Sequence, residues 1–568
     1  MPGARRGSAV LLFLLLVLLA FTIRGVTATQ LIPHVDEAAT MLATEMVATK
    51  GVPVFPSGVL YLQGASLSYL LAPLTAVIGG TIDQLTALRF VNVLMGTGVV
   101  LLTALLGARI ARHWVPGVIA GLIVAFDPAS IAWSVYLRPY AALSLVTVAL
   151  AYAVVCLVMD EPRRDRRWWR DPVVWIVVLF VLGTLTHISI WLVYPAVGLI
   201  AVLTWGFGLL GPQRRVTIGL GVVAIALVLF LVLNSVVGPG SSTSSGESGP
   251  SFVGSHLLTF ERLFSTEVRL EIWTSLFHGS GLSTVMPLVL TACSGVLLGR
   301  VSQHGRERDP AKRRALGAVL MLYWVPVGAA IGLIGAEGHH RYLIHVVPLG
   351  AIIIALAVYI LFEELNVLRP RLPMILPALG VAALLLSVFF YSVIATTWRV
   401  GYRGPDADYF AAMTYVAEHY KPGQAIIVAL PPIAHVSLNE DARRDLWFLA
   451  GASGDARVTR YTWQDAEGNL VDFWLGRNAI GSTDGLCGML ASSTETSWIV
   501  VDRWRLDHPY EGEMESVIEG ATNLVARGAN GVHVRTSIPV EQWAASAVQT
   551  CIANGMRPPE PISEDAEI

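Results

Sequence analysis

The chain has 568 residues, 54% of them hydrophobic and 14% charged, with a formal net charge of -2 and a mean hydropathy of +0.61. Soluble domains carry about 25% charged residues, so this composition excludes an ordinary soluble protein and describes a polytopic membrane protein. The basic residues fall in short clusters between apolar runs and form no single stripe, so a nucleic-acid partner is not expected.

Crossing a hydrocarbon core of about 30 Å takes roughly 17–25 residues. In chain order, apolar runs of that kind lie at 9–23, 86–108, 115–128, 139–158, 172–187, 188–210, 216–237, 281–299, 316–335, 343–362 and 374–396. The stretch "ASLSYLLAPLTAVIGGTI" (65–82) is a further candidate, and one extra crossing there would invert everything after it. The distribution of Arg and Lys fixes the parity. With 65–82 in the outer interface, the inside connections are "PGARRGS", "ARIARHW", "DEPRRDRRWWRD", "GPQRRV", "GRVSQHGRERDPAKRRALG" and "LRPRLP", all rich in Arg. The outside connections then keep only Arg24, Lys50, Arg138, Arg262, Arg269 and Arg341. The expectation is about 11 transmembrane helices in the plasma membrane, N-terminus cytoplasmic and C-terminus extracytoplasmic. The first run, with Arg5, Arg6 and "VTAT", also fits a cleaved signal peptide, although its apolar stretch exceeds the usual 7–15-residue core. On either reading Asp36 emerges outside.

From about Trp398 the composition becomes that of a soluble domain. The run "DADYFAAMTYVAEHYKPGQAIIVAL" predicts an amphipathic helix, a Pro-Gly turn and a buried strand, and "SWIVVDRW" and "GVHVRT" predict further strands. Strands alternating with helices predict a C-terminal soluble α/β domain outside the membrane, residues 399–568, ending in a disordered tail. It holds no phosphate-binding glycine loop and no nucleophile elbow, so no nucleotide cofactor is expected. Cys156 and Cys293 lie in apolar runs, whereas Cys487 and Cys551 form an isolated pair in this domain; in an oxidising compartment such a pair is a disulfide candidate. The outside loop "GPGSSTSSGESGP" (238–250) reads as flexible.

On the outer face the first loop, 24–85, carries His34, Asp36, Glu37 and Glu45. The third crossing ends in "FDPASIAWSVYLRPYAAL" with Asp127, Tyr136, Arg138 and Tyr140; the fifth ends in "LTHIS" with His187; the ninth ends in "GAEGHHRYLIHVVPL" with Glu337, His339, His340, Arg341 and Tyr342. Ionisable groups recurring at one depth are what an active site at the lipid–water boundary requires.

The succession of an apolar first span, "DE" in a long outer loop, "GASLSYLLAPLTAVIGGTIDQLTALRFVNVLMGTGVVLLTALLGARIA", "YLRPYAALSL", "LTH" and a late "HHRYLIHVVPL" resembles membrane glycosyltransferases of the GT-C fold. The likeness is to the protein O-mannosyltransferase and aminoarabinose-transferase group and covers roughly residues 5–400. It implies a transmembrane GT-C-like catalytic domain over 1–398 and a glycosyltransferase that takes a sugar from a polyprenyl-phosphate donor to an extracytoplasmic protein, lipid or cell-wall glycan. In that family an acidic residue of the first outer loop acts at the reaction centre, and Asp36 is the position that matches it, with Glu37 beside it. A carboxylate suits the chemistry, because displacement at an anomeric carbon needs a base for the acceptor hydroxyl.

The leaving group is a lipid phosphate, whose developing charge calls for Arg, His or a metal. Arg138 and Arg341 rank first, then His339 and His340, with Tyr140 and His187 alongside; Glu337, His339 and His340 are alternatively the ligands of a divalent ion. Plainer readings stand beside these. Asp36 and Glu37 could be solvated or cap the helix "DEAATMLATEM", Arg138 could be an interfacial anchor between Tyr136 and Tyr140, and His187 could be a buried histidine satisfied by a helix end. A transporter or lipid flippase is the competing class, which should place its ionisable residues nearer the midplane.

Overall fold

The computed structural model describes residues 2–61, 63–79, 84–160, 169, 171–206, 285–302, 309–333, 340–368, 408–451, 458, 461–493, 495–508, 510, 512–528 and 531–555. The runs expected to cross at 216–237 and 374–396, the loop 238–250 and the tail after 555 lie outside the described residues. The chain divides into two compact units: residues 1–31, 62–71 and 86–402, and residues 32–61, 72–85 and 403–568.

The first unit is helical. Its elements are α1 (Pro2–Gln30), the start of α3 (Ala65–Ile78), α4 (Leu85–Ala111), α5 (Trp114–Phe126), α6 (Pro128–Trp133), α7 (Tyr140–Met159), α8 (Pro172–Thr186), α9 (Tyr194–Gly206), α10 (Val285–Ser302), α11 (Pro310–Leu333) and α12 (Val347–Leu368). Among the described residues four stretches are long and apolar enough to cross a membrane: Ala9–Gln30, Leu85–Ala111, Tyr140–Met159 and Leu343–Glu364. Others expected to cross are shorter apolar helices. Residues 115–128 become α5, of 13 residues, and 172–187 become α8, of 15; at 1.5 Å per residue each falls short of about 30 Å. The candidate at 65–82 is a 14-residue helix containing Pro73.

Small residues let these helices approach one another, as they must where lipid offers no hydrophobic drive for association. A Cβ placed on Gly117 of α5 would lie 2.2 Å from the carbonyl oxygen of Ala104 in α4, so only glycine permits that crossing. The core continues through α7, α11 and α12 in rows of Leu, Val, Ile and Ala, including Leu143, Val148, Leu322, Ile352 and Ile353.

The second unit holds α2 (Val35–Lys50) and a mixed six-stranded sheet. Strands β1 (Ile426–Val428), β2 (Leu446–Leu449), β5 (Ala479–Ile480) and β6 (Trp498–Asp502) run parallel; β7 (Thr522–Arg527) and β8 (Val532–Ser537) are antiparallel additions, giving the order β5-β2-β1-β6-β8-β7. A separate hairpin joins β3 (Thr462–Gln464) to β4 (Leu470–Asp472). Strands β1 and β6 are buried along their whole length, as parallel strands covered on both faces must be. The covering helices include α13 (Tyr409–His419), α14 (Pro431–Ser437), α15 (Glu440–Arg444), α16 (Thr483–Ser492), α17 (Arg503–Asp507), α18 (Glu513–Gly520) and α19 (Ala545–Ala553). A disulfide between Cys487 of α16 and Cys551 of α19 closes a separation of 64 residues.

The first loop folds into this same unit. Helix α2 packs on α14, the Ser57 hydroxyl donates to the Phe473 carbonyl at 2.7 Å, and Phe55 meets the Phe473 ring edge-on at 5.6 Å.

Candidate functional site

In the second unit the acid pair sits at the start of α2. His34 is its N-cap: the His34 Nδ1 accepts the Asp36 N–H at 3.0 Å, and the His34 N–H donates to Glu37 Oε2 at 2.8 Å. This reciprocal pair is a capping box, which satisfies two N–H groups that a helix start leaves orphaned. Glu37 is fully buried in that role. Asp36 points differently: its carboxylate retains 28% exposure and lies 3.7 Å from the His34 ring nitrogen. The second acid thus builds the helix start, while the first presents a partly solvated carboxylate on it.

Further along α2, the Glu45 carboxylate lies 3.8 Å from His435 Nε2 of α14. The His435 side chain beside it pulls Glu45 below the usual carboxylate range, against an opposing push from partial burial. Around Tyr61, the Thr40 hydroxyl and the tyrosine OH lie 3.1 Å apart and tie α2 to its returning loop.

In the first unit, the end of the bundle where α1, α5 and α8 finish and α4 and α7 begin gathers polar groups. Arg138, 6% exposed, precedes α7, and its guanidinium carbon lies 5.9 Å from the Tyr140 ring centroid. Tyr140 in turn packs on His187 at 5.1 Å and on the edge of Trp133 at 5.0 Å. His187 joins α8 to the 3-10 segment Ile188–Leu192 and is buried; its Nδ1 accepts the Ser189 N–H at 3.1 Å, which leaves the proton of the neutral ring on Nε2. Asp127 is also a cap, accepting the Ser130 N–H at 2.7 Å where α5 turns into α6.

Sequence reasoning passed over the arginine and asparagine that organise this end, Arg89 and Asn92 of α4. Arg89 is 2% exposed, donates to the carbonyls of Ala28 at 3.1 Å and Leu31 at 2.7 Å, and sits 5.9 Å from the Tyr136 ring centroid. Asn92 Nδ2 donates to the carbonyls of Tyr136 and Arg138, the latter at 2.8 Å, and so fixes the turn that carries Arg138. The available signal was a charge and an amide inside the apolar run "TALRFVNVL", since polar groups there need a partner. Arg24 behaves similarly, donating to Ser134 Oγ at 2.8 Å and to the Val124 carbonyl at 3.1 Å. The cavity lined by Arg24, Trp133, Tyr140 and Ile344 measures about 10 Å³, room for one water and no substrate.

His340 and Arg341 begin the 3-10 segment His340–Val346, which packs on α7 and α6. Glu337 and His339 lie outside the described residues. Among the described residues no three of His, Cys, Asp and Glu come together as metal ligands.

No family model matches the chain, and no curated protein matches it. Solved structures do. ArnT from Cupriavidus metallidurans bound to undecaprenyl phosphate superposes with a TM-score of 0.54 at 14% identity, over 93% of this chain and 98% of that one. The apo form of the same protein gives 0.56 at 14% identity, over 94% and 98%. The oligosaccharyltransferase AglB from Archaeoglobus fulgidus, in complex with an inhibitory peptide and a dolichol-phosphate, gives 0.52 at 12% identity, over 97% of this chain and 78% of that one. The chain therefore has the helical membrane fold of the GT-C glycosyltransferases, as the resemblance of its motifs implies.

Proposed function

We propose that the protein is a multi-pass membrane glycosyltransferase that transfers a sugar from a polyprenyl-phosphate donor to an extracytoplasmic acceptor. The observation that carries this reading is the full-length likeness to ArnT, which was solved with undecaprenyl phosphate. AglB, solved with dolichol-phosphate, supports the same class of lipid carrier.

In this reading the acceptor hydroxyl oxygen attacks the anomeric carbon, the bond from that carbon to the phosphate oxygen breaks, and configuration inverts. The hydroxyl proton passes to the Asp36 carboxylate, whose partial exposure suits it to meet a substrate. Polyprenyl phosphate leaves with one more negative charge, which Arg138 and Arg341 meet, assisted by His339 and His340. Tyr140 and His187 support Arg138 by packing and orientation, and Glu37 acts by shaping the helix that carries Asp36. A divalent ion would be held by Glu337, His339 and His340, and would supply charge neutralisation at the phosphate; the Archaeoglobus fulgidus oligosaccharyltransferase was solved with Zn and sulfate. The remaining parts of the proposal are about 11 spans, a cytoplasmic N-terminus, and the C-terminal α/β domain outside the plasma membrane.

The test is transfer by purified protein from a panel of radiolabelled polyprenyl-phosphate sugars to envelope acceptors, with the anomeric configuration of the product read by NMR. Transfer with inversion supports the reading. No transfer from any donor, together with lipid or solute translocation in vesicles, would replace it with the transporter class.

A further inference from the structure

We propose that the open cavity at the leading edge of strands β1, β2 and β5 binds a saccharide unit carrying a carboxylate or phosphate, gripped by Arg444 and Arg477 against the indole of Trp447.

The three parallel strands start along one edge of the sheet, and the residues just before them face a cavity of about 380 Å³. That volume falls within the roughly 300–1,000 Å³ of small-ligand sites. Arg444 and Asp445 come from the approach to β2, Arg477 and Asn478 from the approach to β5, and Trp447 from β2 itself.

Open parallel sheets usually bind ligands at the opposite edge, at the carboxyl ends of the strands where the winding reverses. Here that point lies between β1 and β6, and it is filled. Asp502 at the end of β6 is 1% exposed, receives the Tyr409 hydroxyl at 2.5 Å and pairs with Arg505. The leading edge is the one left open.

Its wall is also fixed in advance. The fully buried Asp472 accepts the N–H groups of Trp474 at 2.8 Å, Leu475 at 2.7 Å and Arg477 at 2.8 Å, so one carboxylate holds the whole turn. Gly476 completes it at φ +66, where a side chain would be strained and would press within 3.3 Å of the Ser57 Cα. A wall ordered before binding costs a ligand less to engage.

The charge of the site selects the ligand. Two other arginines of this unit, Arg503 and Arg505, are matched by acids, Arg503 with Asp507 at 2.7 Å and Glu519 at 3.4 Å and Arg505 with Asp502, whereas Arg444 and Arg477 are set apart by lining one cavity together. Arg444 and Arg477 are exposed and make no ion pair among the described residues. The acid in the wall, Asp445, is committed through Oδ2 to the Tyr420 hydroxyl at 2.5 Å and the Gly423 N–H at 3.1 Å. Two guanidiniums facing one cavity match the geometry of a carboxylate or phosphate. The half-buried Trp447 offers a flat face for a sugar ring, and Asn478 offers hydroxyl partners. Calling this saccharide an acceptor rests on the function proposed above; its binding does not.

The test is calorimetric titration of the full chain in detergent, without donor, with tetragalacturonate, its neutral methyl ester, mannose 6-phosphate and inorganic phosphate. The expected result is binding of one or both acidic sugars, at least tenfold weaker binding of the methyl ester and of inorganic phosphate, and at least a tenfold loss in Arg444→Ser/Arg477→Ser. Which acidic sugar binds separates a carboxylate from a phosphate ligand. Trp447→Ala should weaken the sugars while leaving inorganic phosphate unchanged. Equal binding of acid and ester, undiminished binding by the double-arginine variant, inorganic phosphate binding as tightly as the sugars, or no binding of any probe would each overturn the inference. Because donor transfer is read separately, such failure would leave the glycosyltransferase reading standing.

Discussion

Two buried arginines of the helical unit and two arginines beside strand β6 of the sheet unit find opposite partners, backbone carbonyls in the first case and carboxylates in the second. In the helical unit Arg24 and Arg89 are buried and meet backbone carbonyls: Arg89 takes those of Ala28 and Leu31 at the end of α1, and Arg24 that of Val124 near the end of α5. In the sheet unit Arg503 and Arg505 meet carboxylates. The last carbonyls of a helix are orphaned and carry the negative end of its dipole. Where apolar runs leave few carboxylates, those carbonyls are what a cation can find, so Arg24 and Arg89 mark helix ends, while in the sheet unit Arg444 and Arg477 mark a candidate ligand site because both line one cavity.

The sharpest way to break this contrast is to remove one arginine from each unit. Arg89→Leu strips two charge-assisted bonds from the end of α1 and should cost about 3 kcal/mol, read as a lower thermal midpoint in detergent; Arg503→Ala, which removes only solvent-exposed ion pairs, should leave that midpoint almost unchanged. Equal losses would end the distinction.

Next in size is a titration. Burial pushes Asp472 up to about 6, although three backbone N–H groups and Arg477 pull it down. An acid whose folded value exceeds its unfolded value of about 3.9 binds more protons when folded. It therefore stabilises below pH about 4 and loses that contribution as pH rises toward about 6, on the order of 2–3 kcal/mol in all. Asp472→Asn should flatten this part of the pH–stability profile of the sheet unit, measured by denaturant unfolding at fixed pH values; an unchanged slope would remove Asp472 as its source.

Smaller effects belong to α2. Glu37→Ala should cost about 1 kcal/mol through loss of the capping box, and Glu37→Gln, which can still accept the His34 N–H, should recover most of it. Glu45, held low by His435 and less so after burial opposes it, contributes stability at neutral pH that is lost as pH falls through its lowered value. Its side chain is 49% exposed, so Glu45→Gln should cost less than about 0.5 kcal/mol. A larger loss, seen as faster proteolysis of the first loop, would mean that this pair holds α2 in place.

What the sequence made legible was what depends on local pattern. The run 86–108 lies inside α4 and 139–158 coincides with α7 almost residue for residue, because hydropathy over one helix is a local property. The helix, turn and strand read from "DADYFAAMTYVAEHYKPGQAIIVAL" are α13 and β1, and Cys487 and Cys551 are joined. Long-range pairings were invisible: Ser57 and Phe473 stand 416 positions apart, so nothing local says that the first loop folds with the sheet. The three-residue strand β3 is nowhere buried and β7 alternates with exposed positions, so neither reads as a buried run. Capping stood among the readings of the two acids and is what Glu37 does, but the N-cap residue itself escaped because His34, unlike Ser, Thr, Asp or Asn, is not a usual one. Arg89 escaped because a single charge barely lowers the hydropathy of a 27-residue helix.

The two acids of "DE" give the most direct test of the central claim. Sugar transfer from the active polyprenyl-phosphate donor should be compared for native protein, Asp36→Asn and Glu37→Gln at matched thermal stability. Asp36 as the base predicts a loss of about 10²–10⁴-fold in Asp36→Asn, with Glu37→Gln near native. Near-native transfer by Asp36→Asn, or a loss confined to Glu37→Gln, would contradict it.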